Sequence, residues 1–272
     1  MRTLLCCIGR MCNQYIREWV EYYKTMGFTN ILLYDNNFDG EQNFCDVIGD
    51  YISDGYVIIE DYRGIKMAQF KAYYHCWEKY RSDYDWIAFF DTDEFLTFVE
   101  EKTIEEFLSD EKFREKNAVV INWMCYGDND IVYNDGSGVL ERFKEPANYD
   151  TKCGQNRPIN DHVKTIVRCI DFKNMDFCTP HCTNIPSQCT ASGKNHPGGA
   201  PYESYDFSVA YIRHYTTKTA EEYCEKMRIG TPDRMWSSAE VKNNVQNYFF
   251  KLNKTTDEKL KLFEDRIFKN RQ

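Results

Sequence analysis

Four short apolar runs open this chain, at residues 3–8, 30–34, 56–60 and 86–90, and an amphipathic stretch separates each successive pair. Between the first two runs, Tyr15, Ile16, Trp19, Val20, Tyr22, Tyr23 and Met26 recur at three- and four-residue steps, which makes one face of a helix. Phe44, Val47, Ile48, Tyr51 and Ile52 repeat the pattern after the second run, and Met67, Phe70, Tyr74 and Trp77 after the third. Asn13 stands where a cap would start the first helix, and Gly27 where a left-handed residue would end it. Strand followed by helix, three times over, calls for parallel strands joined by right-handed crossovers. The expected fold class is therefore α/β, with a central, mostly parallel sheet flanked by helices. The run at 86–90 is apolar at every position, as a strand covered on both faces is.

Ligands of such sheets sit outside the carboxyl ends of the strands. Those ends are Ile8-Gly9, Asp35-Asn36, Asp61-Tyr62-Arg63 and Asp91-Thr92-Asp93, and three of the four carry acids. Alternate residues leaving a strand point the same way, so Asp91 and Asp93 can converge on one hard cation and its bound phosphates. Mg²⁺ or Mn²⁺ suits such oxygens and assists a departing diphosphate as a Lewis acid. An acid pair here could equally be a turn former or helix cap. No G-x-G-x-x-G, P-loop, H-E-x-x-H or G-x-S-x-G motif competes with it.

The second half is less regular. Strands are expected at 118–126, 163–168 and 207–212, and helices at 219–227, 237–252 and 257–268. Residues 173–201 are rich in Cys, Asn, Gly and Pro and read as one long loop, a candidate flap. Twelve cysteines are scattered through the chain, mostly as expected small core residues. Cys178, His181, Cys182 and Cys189 form the one cluster to weigh as zinc ligands, but the usual C-x-x-C pairs are missing. A net charge of −9 without a long basic run argues against nucleic acid as a partner. No secretory signal and no membrane-length apolar run is visible, so a cytoplasmic protein is expected, with at most peripheral association at the inner face of a membrane. A catalytic fragment of an anchored parent would read the same way.

Several segments then fall in a telling order. They are Tyr15-Ile16-Arg17-Glu18-Trp19-Val20-Glu21-Tyr22-Tyr23, Leu33-Tyr34-Asp35-Asn36-Asn37, and Trp86-Ile87-Ala88-Phe89-Phe90-Asp91-Thr92-Asp93-Glu94-Phe95-Leu96. Glu141-Arg142-Phe143, Val163-Lys164-Thr165-Ile166-Val167, Ile212-Arg213-His214-Tyr215 and Lys218-Thr219-Ala220-Glu221-Glu222-Tyr223 follow. Together they resemble the bacterial glycosyltransferase family 2-like group that is close to glycosyltransferase family 92.

The resemblance implies a GT-A fold, a nucleotide-sugar donor (commonly a UDP-sugar), Mn²⁺ or Mg²⁺, and mostly inverting transfer of the hexosyltransferase type to a glycan or glycolipid acceptor. It also implies a role in cell-surface polysaccharide or lipopolysaccharide synthesis. The expected organisation is a catalytic domain at 1–217, with a nucleotide-sugar-binding half at 1–100 and an acceptor-binding half at 101–217, followed by a helical extension at 218–272. By position, Asp35 and Asn36 would face the donor base or ribose, and Gln69 would also face the donor. Asp91 and Asp93 would meet the ribose and the metal–diphosphate, and His214 would complete the metal shell. The alternative for His214 is a packed residue at a strand end. Lys226 and Arg228 would hold the diphosphate, unless they form a solvated helix face. An inverting displacement needs a group to take the acceptor proton. Asp128 and Glu141 are the foremost candidates, with Asp130, Glu203 and Asp206 behind them. Glu141 could instead pair with Arg142 or Lys144. Two other readings compete: a sugar nucleotidyltransferase, for which Gly9-Arg10-Met11-Cys12-Asn13 is a thin phosphate loop, and a carbohydrate-binding protein without catalysis.

Overall fold

The computed structural model describes residues 1–153, 156–170, 175–202 and 204–269, the Cys178 side chain excepted. The first half alternates as its periodicity requires: β1 (Thr3–Gly9), α1 (Asn13–Thr25), β2 (Asn30–Asp35), α2 (Cys45–Ser53), β3 (Val57–Asp61), α3 (Ala68–Tyr80) and β4 (Trp86–Phe89). After it come β5 (Glu94–Phe98), α4 (Ile104–Leu108), β6 (Ala118–Cys125), α5 (Val139–Arg142), β7 (Lys152–Cys153), β8 (Arg157–Pro158) and β9 (Val163–Arg168). Then follow β10 (Phe177–Thr179), β11 (Cys182–Thr183), β12 (Gln188–Thr190), β13 (Asn195–His196) and β14 (Ala210–His214). The chain closes with α6 (Ala220–Ile229), α7 (Ser238–Asn244), α8 (Phe250–Leu252) and α9 (Asp257–Phe263).

The main sheet runs β13-β12-β6-β9-β4-β1-β2-β3. β4, β1, β2 and β3 are mutually parallel, and β9 is the antiparallel strand between β4 and β6. β14 leaves this path to pair parallel with β6 and antiparallel with β5. This is the mostly parallel sheet with flanking helices expected of a GT-A fold.

Alternation along the strands sorts the core into two layers. Leu5, Cys7, Leu33, Ala88 and Phe90 pack with Trp19, Val20 and Tyr23 of α1. Their neighbours Leu4, Cys6, Leu32, Ile87 and Phe89 pack with Ala72, Tyr73, Cys76 and Trp77 of α3. Each large apolar side chain so buried contributes roughly 1.5–3 kcal/mol. A third cluster, including Tyr223, Val241, Phe249 and Phe263, joins the C-terminal helices to one another.

Four local expectations are corrected. Asn13 does not cap α1: Cys12 holds that position, and Asn13 Nδ2 donates to the Gln42 carbonyl instead. The expected loop at 173–201 contains β10 to β13, and β12 extends the main sheet beside β6. Strands of two or three residues are too short for periodicity to show, and pairing with a neighbour is what defines them. The strand expected at 207–212 is shifted to Ala210–His214, because β14 takes its register from both β5 and β6. The helix expected at 237–252 is broken by a wider turn at Val245–Phe249.

Candidate active site

β4 ends at the Asp91-Thr92-Asp93 turn, and β14 ends at His214, directly opposite Glu94 in the β5 register. The carboxyl ends of β1, β4 and β14 thus meet at one edge. There they open into a cleft of about 640 Å³ that Asp91, Asp93 and His214 help to line. Arg10 and Met11 after β1 form one wall, and Lys218 and Lys226 before and within α6 form another. Met11 and Lys218 both have φ of 51°, a left-handed conformation that costs a residue other than glycine about 1–3 kcal/mol. Such strain concentrates where the surrounding structure over-determines the backbone.

The two acids of the triplet have different surroundings. Asp91 Oδ1 accepts from Gln69 Nε2 at 3.1 Å and Tyr73 OH at 3.3 Å, and Oδ2 accepts from Lys164 Nζ at 2.7 Å. Lys164 has no exposed side-chain surface and also lies 3.5 Å from Glu94 Oε2. Burial by itself would lower the Lys164 pKa, but the Asp91 and Glu94 carboxylates outweigh it and hold the ammonium charged. Asp91 is therefore engaged on both oxygens by protein groups.

Asp93 faces the cleft differently. Its Oδ2 accepts from Lys226 Nζ at 3.2 Å, and its Oδ1 lies 3.7 Å from His214 Nε2. That gap is too long for a hydrogen bond. Burial would push the Asp93 carboxyl up, but Lys226, His214 and Lys218 bring it well below the ordinary range. Burial also takes His214 down to about 3, against the pull of Asp93. Its Nδ1 is buried without a hydrogen-bond partner. The result is a carboxylate and a neutral imidazole facing one another across a narrow gap.

The cleft also gathers Lys226 and Gln69, both expected from the family pattern, with Gln69 lining it beside Asp91. Other expected residues lie elsewhere. Asp35 is buried and accepts from the backbone N–H groups of Asn37 and Phe44, so it fixes the turn after β2. Asn36 donates to the Tyr62 and Ile65 carbonyls and accepts from Arg10, so it touches the cleft only through that guanidinium. Arg228 is exposed and paired with Glu225. Asp128 is 2% exposed and bound to Lys259 at 2.6 Å, away from the cleft lining. Glu141 is exposed on α5, and its neighbour Arg142 pairs with Glu222 rather than with it. Asp130 pairs with Lys254, and Asp206 accepts from the hydroxyls of Thr190, Ser192 and Ser208. Glu203 and the Cys178 side chain lie outside the described residues.

Among the described residues, no three His, Cys, Asp or Glu side chains are grouped to hold a metal ion. The cleft offers two facing donors, Asp93 and His214. Sequence reasoning missed Lys164, Lys218 and Arg10. Lys164 did carry a signal, since it is the one charge between Val163 and Val167, ahead of Arg168 at the end of the strand. Sequence reasoning also missed Glu222, which lines the cleft with Tyr15 and accepts from Tyr15 OH and from Arg142.

The sequence model of glycosyltransferase family 92 matches residues 2–267. A family 92 protein of Oryza sativa subsp. japonica is 28% identical over 104 residues, covering 38% of this chain and 18% of that protein. One from Ricinus communis is 34% identical over 95 residues, covering 34% and 16%. The matched segment is thus less than a fifth of the length of either plant relative. Staphylococcus aureus TarS 1–349, solved in complex with UDP-GlcNAc, aligns over 97% of this chain and 80% of its own, at 12% identity and a TM-score of 0.45. With the family match running almost from end to end, this chain belongs to glycosyltransferase family 92.

Proposed function

We propose that this chain transfers a sugar from a nucleotide-diphosphate donor of the UDP-sugar class to a hydroxyl of a glycan or glycolipid, with inversion and with Mn²⁺ or Mg²⁺. The observation that carries the reading is the pair Asp93 Oδ1 and His214 Nε2, 3.7 Å apart at the carboxyl edge of the sheet. Two donors each about 2.1 Å from one cation lie roughly 3–4 Å apart. The donor set suits Mn²⁺, which accepts both carboxylate and imidazole. Two protein ligands leave the remaining positions to diphosphate oxygens and water, as a substrate-bridging cation requires. Such a cation would supply Lewis-acid stabilisation of the departing diphosphate.

The chain's own groups do the rest. Lys218 and Lys226 flank Asp93 and can neutralise phosphate oxygens. Arg10 is held in place by neutral hydrogen-bond acceptors, Asn36 Oδ1 and the Thr231 carbonyl, with Asp233 as the nearby opposite charge on the cleft lining. Lys164 and Gln69 keep Asp91 in one orientation, so it can orient rather than bind.

Calorimetric titration of UDP with and without Mn²⁺ tests this. The expected result is UDP binding that needs the metal and that Asp93→Asn weakens at least tenfold. Metal-independent binding, or tighter binding of a nucleoside triphosphate than of UDP, would overturn it.

A further inference from the structure

Every acid that lines the cleft already has a partner. Glu222 accepts from the Tyr15 hydroxyl, from Arg142 Nη1 at 2.9 Å and from the Thr219 hydroxyl at 2.8 Å. Glu221 accepts from the Asn134 N–H at 2.9 Å and pairs with Arg266 at 2.7 Å. Glu225 holds Arg228 through Nε at 2.9 Å. Asp233 accepts from the Thr231 hydroxyl and stands near the Arg10 charge. Asp91 is clamped by Lys164, and Asp93 belongs to the proposed cation pair. A carboxylate so engaged must give up part of that pairing to take a proton.

His181 is the exception. It sits in the turn between β10 and β11, and with Pro180 it brings that turn into the cleft lining. The sequence grouped it with Cys178, Cys182 and Cys189 as candidate zinc ligands, yet no such cluster forms among the described residues. Its backbone is fixed on both sides. The N–H donates to Thr179 Oγ1 at 3.1 Å, and the carbonyl accepts at 2.8 Å from the hydroxyl of Thr165, next to Lys164 on β9. The ring meets the Trp123 indole edge-on, with centroids 4.9 Å apart and planes at 90°. The His214 ring packs on the same indole at 4.0 Å. Those two centroid steps are the most that can separate the two histidine rings. Packing, then, holds His181 in place. Its Nδ1 is buried without a hydrogen-bond partner, which leaves Nε2 to meet a ligand.

We propose that His181 is the catalytic base of the transfer and takes the proton of the acceptor hydroxyl at Nε2. The proposal rests on the transferase reading above. The step is a single displacement. The acceptor oxygen forms its bond to the anomeric carbon as the bond from that carbon to the phosphate oxygen breaks. The bonding pair leaves on the diphosphate, and the hydroxyl proton passes to His181. A base must be neutral beforehand. Burial keeps the ring neutral in the free protein, and Lys164 of β9, His162 before that strand and His214 of β14 act in the same direction. A bound diphosphate brings negative charge into the same cleft and opposes them. The ring therefore gains basicity when a donor is in place.

The test measures UDP release from UDP-glucose, UDP-galactose and UDP-N-acetylglucosamine with Mn²⁺, in water and with the methyl glycosides of the same sugars. Calorimetry gives UDP affinity in parallel. His181→Gln keeps most of the side-chain volume but has no base, and His181→Ala serves should the first variant fold poorly. Each is expected to lower kcat about 10²-fold or more, with KM and UDP affinity within about twofold of wild type. Imidazole added to His181→Ala should recover activity, and triazole, of the same ring size but a far weaker base, should not. Equal recovery by both marks a packing role and overturns the base. Glu221→Gln and Glu225→Gln are expected to keep kcat within about fivefold of wild type. A loss of about a hundredfold in either, with His181 variants near the wild-type rate, moves the base to that acid. A folded His181 variant with wild-type kcat overturns the proposal and leaves the transferase reading standing. A fall in UDP affinity as large as the fall in kcat overturns it too, because the residue then serves binding. A wild-type protein that neither binds UDP nor splits any of the donors takes both readings down.

Discussion

A lysine with none of its side chain exposed has to be explained by its neighbours, and Lys164 has two, Asp91 and Glu94. Its function is to hold the first acid of the triplet in place. Removing the ammonium strands the Asp91 carboxylate beside Glu94, whose own carboxyl pKa is pushed well up by burial, so Lys164→Met is expected to cost about 3–5 kcal/mol in urea unfolding. Asp128 makes the opposite case. The sequence placed an acid in a polar turn after a strand, the right setting for a base, but could not show that Lys259, 131 residues later, pairs with it at 2.6 Å. Asp128→Asn is therefore expected to lower thermal stability while leaving UDP affinity unchanged, read by parallel melting and calorimetry. Asp93 was legible because its neighbours in sequence point it at the sheet edge. Its partner His214 was legible only through the family pattern.

At the scale of elements, α6 shows how a local signal can position distant chemistry. Thr219 caps the helix and Glu222 closes a capping box, a T-x-x-E pattern readable in the sequence. The box fixes the helix start, and two turns later Lys226 reaches Asp93. Thr219→Ala should cost about 1 kcal/mol in denaturant unfolding. The turn before β14 is less readable. Asp206 accepts from hydroxyls of Thr190 in β12 and Ser208, which tie the turn to the sheet. Burial would raise its pKa, yet Ser192, Ser208 and Thr190 bring it down to about 2. A folded value below the unfolded one of about 3.9 means the charge stabilises the fold above pH 4 and is lost as pH falls towards 2. The stability gap between wild type and Asp206→Asn, about 1–3 kcal/mol at pH 7, should shrink over that window in acid-titrated urea melts. β12 itself was invisible beforehand, because three residues cannot display a period.

For the whole molecule, the cleft exists because the C-terminal chain folds back over the first half. Lys218 and Lys226 face Asp93, and Glu222, which lines the cleft with them, accepts from Tyr15 and Arg142. No helix among the described residues is long and apolar enough to cross a membrane. A ligand that binds only the assembled cleft must stabilise the fold. UDP with Mn²⁺ at a hundred times its Kd should add about 2.7 kcal/mol, seen as a higher Tm that a chelator reverses. The amino-acid sequence by itself determined the alternation of strands and helices, the two-layered core and the acids at the end of β4. Each follows from periodicity and neighbouring residues, which a linear chain displays. Only the tertiary structure decided which acid is clamped by Lys164 and which faces His214, which proposed bases lie outside the cleft, and that the turn after β10 brings His181 into it. Those depend on contacts between residues tens to hundreds of positions apart, where packing and charge pairing, not local pattern, set the partner.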